Sequence, residues 1–187
     1  MFFDRKPAPA PVQDLANLKV TDARIGDVLS VVGAAEDFSD VDFTVDRCDE
    51  FEAGSRRWTA LSGMFRDRRV FLEVHSEDFV EVFGNFDARR IALDELGLSE
   101  GDMADLDSRQ NPSDFVDFES KFWLYRMSRE MGIFSGGQDT GRGYYGWVFQ
   151  EQDGKRHLTI RKFEGEPFEG SIWVSIQPAD VTVFRGS

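Results

Sequence analysis

Polar and apolar residues alternate in short runs along most of this chain, and glycine, proline and aspartate cut the runs at spacings that suit antiparallel strands. Between residues 142 and 185 the pattern has almost no slack. Tyr144-Tyr145-Gly146-Trp147-Val148-Phe149-Gln150 predicts a strand, Asp153-Gly154 a type I′ turn, and His157-Leu158-Thr159-Ile160-Arg161-Lys162-Phe163 the returning strand of a hairpin. Residues 171–176 and 181–184, on either side of Gln177-Pro178-Ala179-Asp180, complete a predicted four-strand meander.

The N-terminal half reads similarly. Residues 25–32 predict a first strand ended by Gly33, and residues 41–46 alternate strictly, which places Val41, Phe43 and Val45 inward and the intervening aspartates outward. Residues 57–62, 70–74 and 79–83 predict three more strands. The period then changes: residues 91–98 and 99–106 have helical spacing, with Ser99 as N-cap ahead of Glu100 and Asp102. In residues 115–134, Phe118, Phe122, Tyr125 and Arg129 fit one helix face. Residues 122–127 fit a strand equally well, and in so β-rich a chain a strand starting near Glu119 is expected. Residues 135–143 are too rich in glycine for anything but a loop.

The predicted fold is mainly β, with antiparallel sheets arranged as a sandwich or barrel and one or two short helices between residues 90 and 110. Residues 1–13, with Pro7, Pro9 and Pro11, read as a disordered leader. Residues 14–187 read as a single β-rich domain, or as two similar lobes, 20–88 and 115–187, joined by a helical connection. Trp58 with the strand at 67–74 resembles Trp147 with the strand at 153–160, the mark an internal duplication would leave.

Composition narrows the classes of function. With 41% hydrophobic residues, eighteen Phe and four Trp, the chain has ample material for a core. A net charge of −13, from 35 acidic and 22 basic residues, repels nucleic acid and anionic lipid and is compatible with a polyamine or a basic partner. Cys48 is the single cysteine, so no intrachain disulfide forms. No stretch approaches the roughly 20 apolar residues of a membrane span, so a cytoplasmic protein is expected.

Ile25-Gly26-Asp27-Val28, Phe43-Thr44-Val45, Arg57-Trp58-Thr59-Ala60-Leu61, Arg69-Val70-Phe71-Leu72-Glu73-Val74, Tyr145-Gly146-Trp147 and the final apolar strand resemble the bacterial DUF4178 family, across most of residues 20–185. The resemblance implies a β-rich module often encoded near polyamine-related enzymes and membrane-stress proteins, hence an accessory role. It carries over no catalytic residue.

No catalytic constellation stands out. His75 reads as an exposed turn histidine, and His157 opens a hairpin strand. Asp49 beside Cys48 would raise its pKa against Arg47. The aspartates at 37, 40, 42, 46 and 49, and at 102, 105 and 107, lack the spacing of a calcium loop and read as solvated faces. No metal or cofactor is expected. The residue types that dominate protein interfaces are better represented: Tyr144, Tyr145, Arg142, Trp58 and Arg69 are the candidate partner-binding residues. Tyr144 and Tyr145, as strand neighbours, must face opposite ways. Two functions follow as expectations: a non-enzymatic module that binds a protein partner, or a small-ligand- or cation-binding protein or hydrolase with a carboxylate-lined pocket between sheets.

Overall fold

The computed structural model describes residues 18–138, 140–152 and 154–186, and the predicted leader lies outside them. Strand β1 (Val28–Val31) pairs with β2 (Val41–Thr44). Four successive antiparallel strands, β3 (Arg47–Ala53), β4 (Arg56–Phe65), β5 (Arg68–His75) and β6 (Glu81–Asn85), form a first meander. Helix α1 (Glu100–Arg109) and β7 (Phe115–Phe118) lead to a second, made of β8 (Lys121–Ser135), β9 (Arg142–Glu151), β10 (Arg156–Lys162) and β11 (Phe168–Ile176). The first strands of the meanders pair with each other, β3 with β8, and so do the last, β6 with β11. The result is a closed antiparallel barrel of eight strands, shared equally between the two halves of the chain.

The chain ends in β12 (Val181–Phe184), which does not extend the second meander as expected. A 3₁₀ turn at Pro178–Asp180 redirects it to the other side of β1, where Val28 faces Phe184 and Val31 faces Val181. The small sheet β12-β1-β2 lies over the barrel wall, and its Leu29, Val31, Val41, Phe43, Val181 and Val183 pack against Leu61, Val70, Leu72 and Val74 of β4 and β5. Val41, Phe43 and Val45 are buried, as the alternation predicts. Asp27 fastens this cover. Its carboxylate accepts hydrogen bonds from Arg185 Nη1 at 2.7 Å and from the backbone N–H groups of Arg24 and Gly186.

A second cover closes the opposite wall. Met103 and Leu106 of α1, with Ile91, Leu96, Val116 and Phe118, pack on Trp123, Tyr125, Trp147, Phe149, Leu158 and Ile160. Helix α1 starts where predicted: Ser99 Oγ accepts from the Asp102 backbone N–H, and the Asp102 carboxylate accepts from that of Ser99 at 2.8 Å. Residues 91–98 are not the helix their spacing predicts. Ile91 pairs both backbone groups with Gly170 of β11, which fixes the segment to the barrel, and turns follow through Gly97 at φ +68°. On β8, a bulge between Tyr125 and Met127 reverses the side-chain alternation, so Trp123 and Tyr125 face the outer cover whereas Met127, Met131 and Ile133 face the lumen. The meander topology agrees with the suggested repeat, but Trp58 lines the lumen and Trp147 belongs to the outer core, so these tryptophans are not counterparts.

Candidate functional site

Both covers press on the outside of the barrel, so on β5 the aliphatic face turns outward and the face with ionisable side chains lines the lumen. On β5, Val70, Leu72 and Val74 enter the outer core, while Phe71, Glu73 and His75 point the other way. Not every ionisable side chain points at water: Glu73 is 8% exposed, and Arg161, His75 and His157 join it in the interior.

Glu73 and Arg161 meet halfway along the lumen, Arg161 Nη2 donating to Glu73 Oε1 at 3.0 Å. The guanidinium carbon of Arg161 lies 5.2 Å from the ring centroid of Phe51 and 5.6 Å from those of Tyr144 and Trp173, a cation held among aromatic rings. This pair borders two cavities. One, of about 290 Å³, opens at the end marked by Arg56, Glu81 and Arg129 and is walled by Trp58, His75, Phe83, Tyr144, His157 and Trp173. The other, of about 260 Å³, lies toward Asp49, Arg69, Asn85 and Glu169.

The first cavity is built of flat surfaces. Trp58 stacks on Phe51 at 5.5 Å and on His75 at 5.0 Å, with ring planes within 13° and 10° of parallel, giving a three-ring column across β3, β4 and β5. Phe83 meets His75 and His157 edge-on. Trp173 Nε1 donates to Thr159 Oγ1 and Ser171 Oγ. Other polar atoms of the wall are not matched: Trp58 Nε1, His75 Nε2 and His157 Nδ1 are buried without a hydrogen-bond partner among the described residues. His75 Nε2 stands 3.6 Å from Glu73 Oε2, beyond hydrogen-bond length. Burial lowers the pKa of His157 below the ordinary histidine value, so its imidazole is neutral near pH 7. Burial also drives Tyr144 up to about 12, Arg161 opposing and Glu73 adding to the rise.

The candidate partner-binding residues do not share a surface. Trp58 and Tyr144 line the lumen. Arg142 is exposed beside Glu166 and over the Phe163 ring. Arg69 holds Asp46 through two hydrogen bonds near the far end. Tyr145 turns to the outer wall, as its alternation with Tyr144 requires, and its hydroxyl donates to Asp107 at 2.5 Å. Asp107 also accepts from Ser128, tying α1 to β8. His75, read as an exposed turn residue, instead stacks on Trp58 inside the barrel mouth, because β5 continues to it and pairs it with Trp58 on β4. Cys48 has its pKa raised, first by burial and then by Asp49 and Glu50. Among the described residues no group of three or more His, Cys, Asp or Glu is placed to hold a metal ion, and no helix is long and apolar enough to cross a membrane.

Sequence reasoning missed Glu73, Arg161 and Trp173 as one site. They lie on three strands, and only closure of the barrel, which the pairing of β6 with β11 accomplishes, brings them together. No family model, no curated protein and no solved structure matches the chain, so the likeness to DUF4178 rests on the residues quoted for it.

Proposed function

We propose that this protein binds a small, flat molecule in the open half of its barrel. The observation that carries the reading is the 290 Å³ cavity itself, walled by stacked aromatic rings around a buried ion pair and three unpartnered polar atoms. Eight strands enclose a lumen that side chains fill or that holds one small ligand, and this volume lies near the lower end for ligand pockets. Each buried polar atom left without a partner costs about 1–3 kcal/mol, a cost that a bound molecule able to supply the partner removes. The carboxylate-lined pocket expected from the acidic composition thus has its nearest equivalent here, with one carboxylate, Glu73, at the floor.

Gly146 on β9 supplies the test. It lines the cavity, and the atoms nearest to a Cβ added there belong to the flexible Met131 side chain and the edge of Tyr144, not to backbone, so Gly146→Leu puts side-chain volume into the lumen. A set of flat bicyclic fragments should change the tryptophan emission of the native protein and leave that of the variant unchanged. Equal responses in both proteins, or none in either, would overturn the reading.

The protein-partner reading retains one observation in its favour: Phe115 and Phe122 form an exposed ring pair, centroids 5.0 Å apart, beside the unpaired edge of β7.

A further inference from the structure

The cavity floor constrains what the ligand can be. Among the described residues, Arg161 hydrogen-bonds only through Nη2, and only to Oε1 of Glu73. Its Nε and Nη1 donors are uncommitted. Oε2 of Glu73 is likewise uncommitted, its nearest polar neighbour being His75 Nε2 at 3.6 Å. One ion pair at the floor therefore carries a free acceptor and free donors, at the foot of a wall of stacked rings. Both side chains are largely buried, Glu73 at 11% and Arg161 at 24% side-chain exposure, so their charges are only partly screened by solvent.

Resting on the binding reading above, we infer that the ligand is a neutral planar nitrogen heterocycle with a ring N–H beside a keto oxygen, the lactam edge found in nucleobases and pyridone-like rings. The keto oxygen accepts from Arg161, the ring N–H donates to Glu73, and the ring lies against the wall formed by Trp58 and His75. A ligand carboxylate would face Glu73, and a ligand ammonium would face Arg161. Either would bring an unbalanced charge against an ion pair whose two charges already cancel. The chain's net charge of −13 separately argues against a ligand carrying phosphates.

Four bicyclic probes of matched size separate these cases by calorimetry or ligand-observed NMR: quinolinone, quinoline carboxylate, aminomethylquinoline and naphthalene. The inference expects quinolinone to bind at least about tenfold more tightly than the other three, since the alternatives leave a buried polar group unpaired. It expects the double variant Glu73→Gln/Arg161→Met, which removes both charges together and so avoids stranding either, to keep naphthalene binding and lose the quinolinone preference. Equal binding of all four, abolished by Gly146→Leu, overturns the inference and leaves the binding reading standing. A preference for the carboxylate or the amine does the same. If none of the four binds the inference fails, and if the flat-fragment set is silent as well the binding reading fails with it.

Discussion

Leu72 and Glu73 are neighbours on β5, both buried, and their surroundings differ in kind. Leu72, with no exposed surface, is packed among Val, Leu and Phe side chains from the barrel wall and the small sheet that covers it. Glu73 faces a lumen that holds a guanidinium, two imidazoles and several aromatic rings, with space left over. The outer face of the wall holds the fold together by dense apolar packing. The inner face keeps polar groups and empty volume that a barrel selected only for stability would have filled. That contrast, more than any single contact, places the candidate site in the lumen.

The sharpest way to break the contrast is to strand one charge. Arg161→Met keeps most of the side-chain volume but leaves Glu73 buried without its cation, and should destabilise the protein by about 3–5 kcal/mol in a urea titration. Adding Glu73→Gln should recover most of that loss, because a neutral pair has no charge to desolvate. A double variant as unstable as the single one would mean that the pair is structural and that the inner face differs little from the outer.

On the outer face the rule reverses, since no second substitution restores what a cavity removes. Leu72→Ala should cost about 2–5 kcal/mol, and so should Leu158→Ala beneath the other cover, both with lumen binding retained wherever the protein is folded. A cost below about 1 kcal/mol at either position would show that its cover is loosely seated.

The strands were legible in the sequence; which face of each strand is inside was not. Alternation at residues 41–45 correctly placed Val41, Phe43 and Val45 in a core, because that strand belongs to a cover with one wet side. The same alternation in β5 separates Val70, Leu72 and Val74 from Phe71, Glu73 and His75, but in a barrel that is covered outside, the second set faces the lumen and not solvent. Alternation carries no information about closure. Two local features were also hidden. The bulge at Arg126 shifts the alternation of β8 without leaving a glycine or proline to mark it. The β7–β8 hairpin turns at Glu119 and Ser120, with φ of +54° and +59°, where a sequence reader looks for Asn-Gly. The N-cap at Ser99 was readable because its chemistry is local, whereas Glu73 and Arg161 are 88 residues apart and no short-range pattern links them.

A smaller effect is expected where the first cover is fastened. Burial alone would raise the pKa of Asp27, but the N–H groups of Gly186 and Arg24 and the Arg185 guanidinium outweigh it and hold the carboxyl below its ordinary value of 3.8. A lowered folded-state pKa means stability that is present above 3.8 and lost as pH falls through the folded value. Asp27→Asn keeps the shape and removes the charge. It should cost about 1.5–3 kcal/mol at neutral pH and flatten the acid limb of the stability curve. An unchanged acid limb would indicate that the cover is held by its apolar contacts alone.

The smallest expected effect separates the two faces by titration, and it belongs to His157. Burial lowers its folded-state pKa. Glu81 and Glu73 oppose that shift, and Arg126 and His75 reinforce it. A histidine whose folded pKa lies below 6.5 takes up its proton more readily once unfolded, so stability rises with pH between the folded value and 6.5 and levels off above. Replacing it by phenylalanine keeps a flat ring in the cavity wall and removes the titration, so His157→Phe should flatten the pH dependence of the melting temperature in that window. The outer cores around Leu72 and Leu158 contain no histidine, so they cannot supply the slope that is lost. A slope that survives unchanged in the variant would overturn the assignment of this pH dependence to His157.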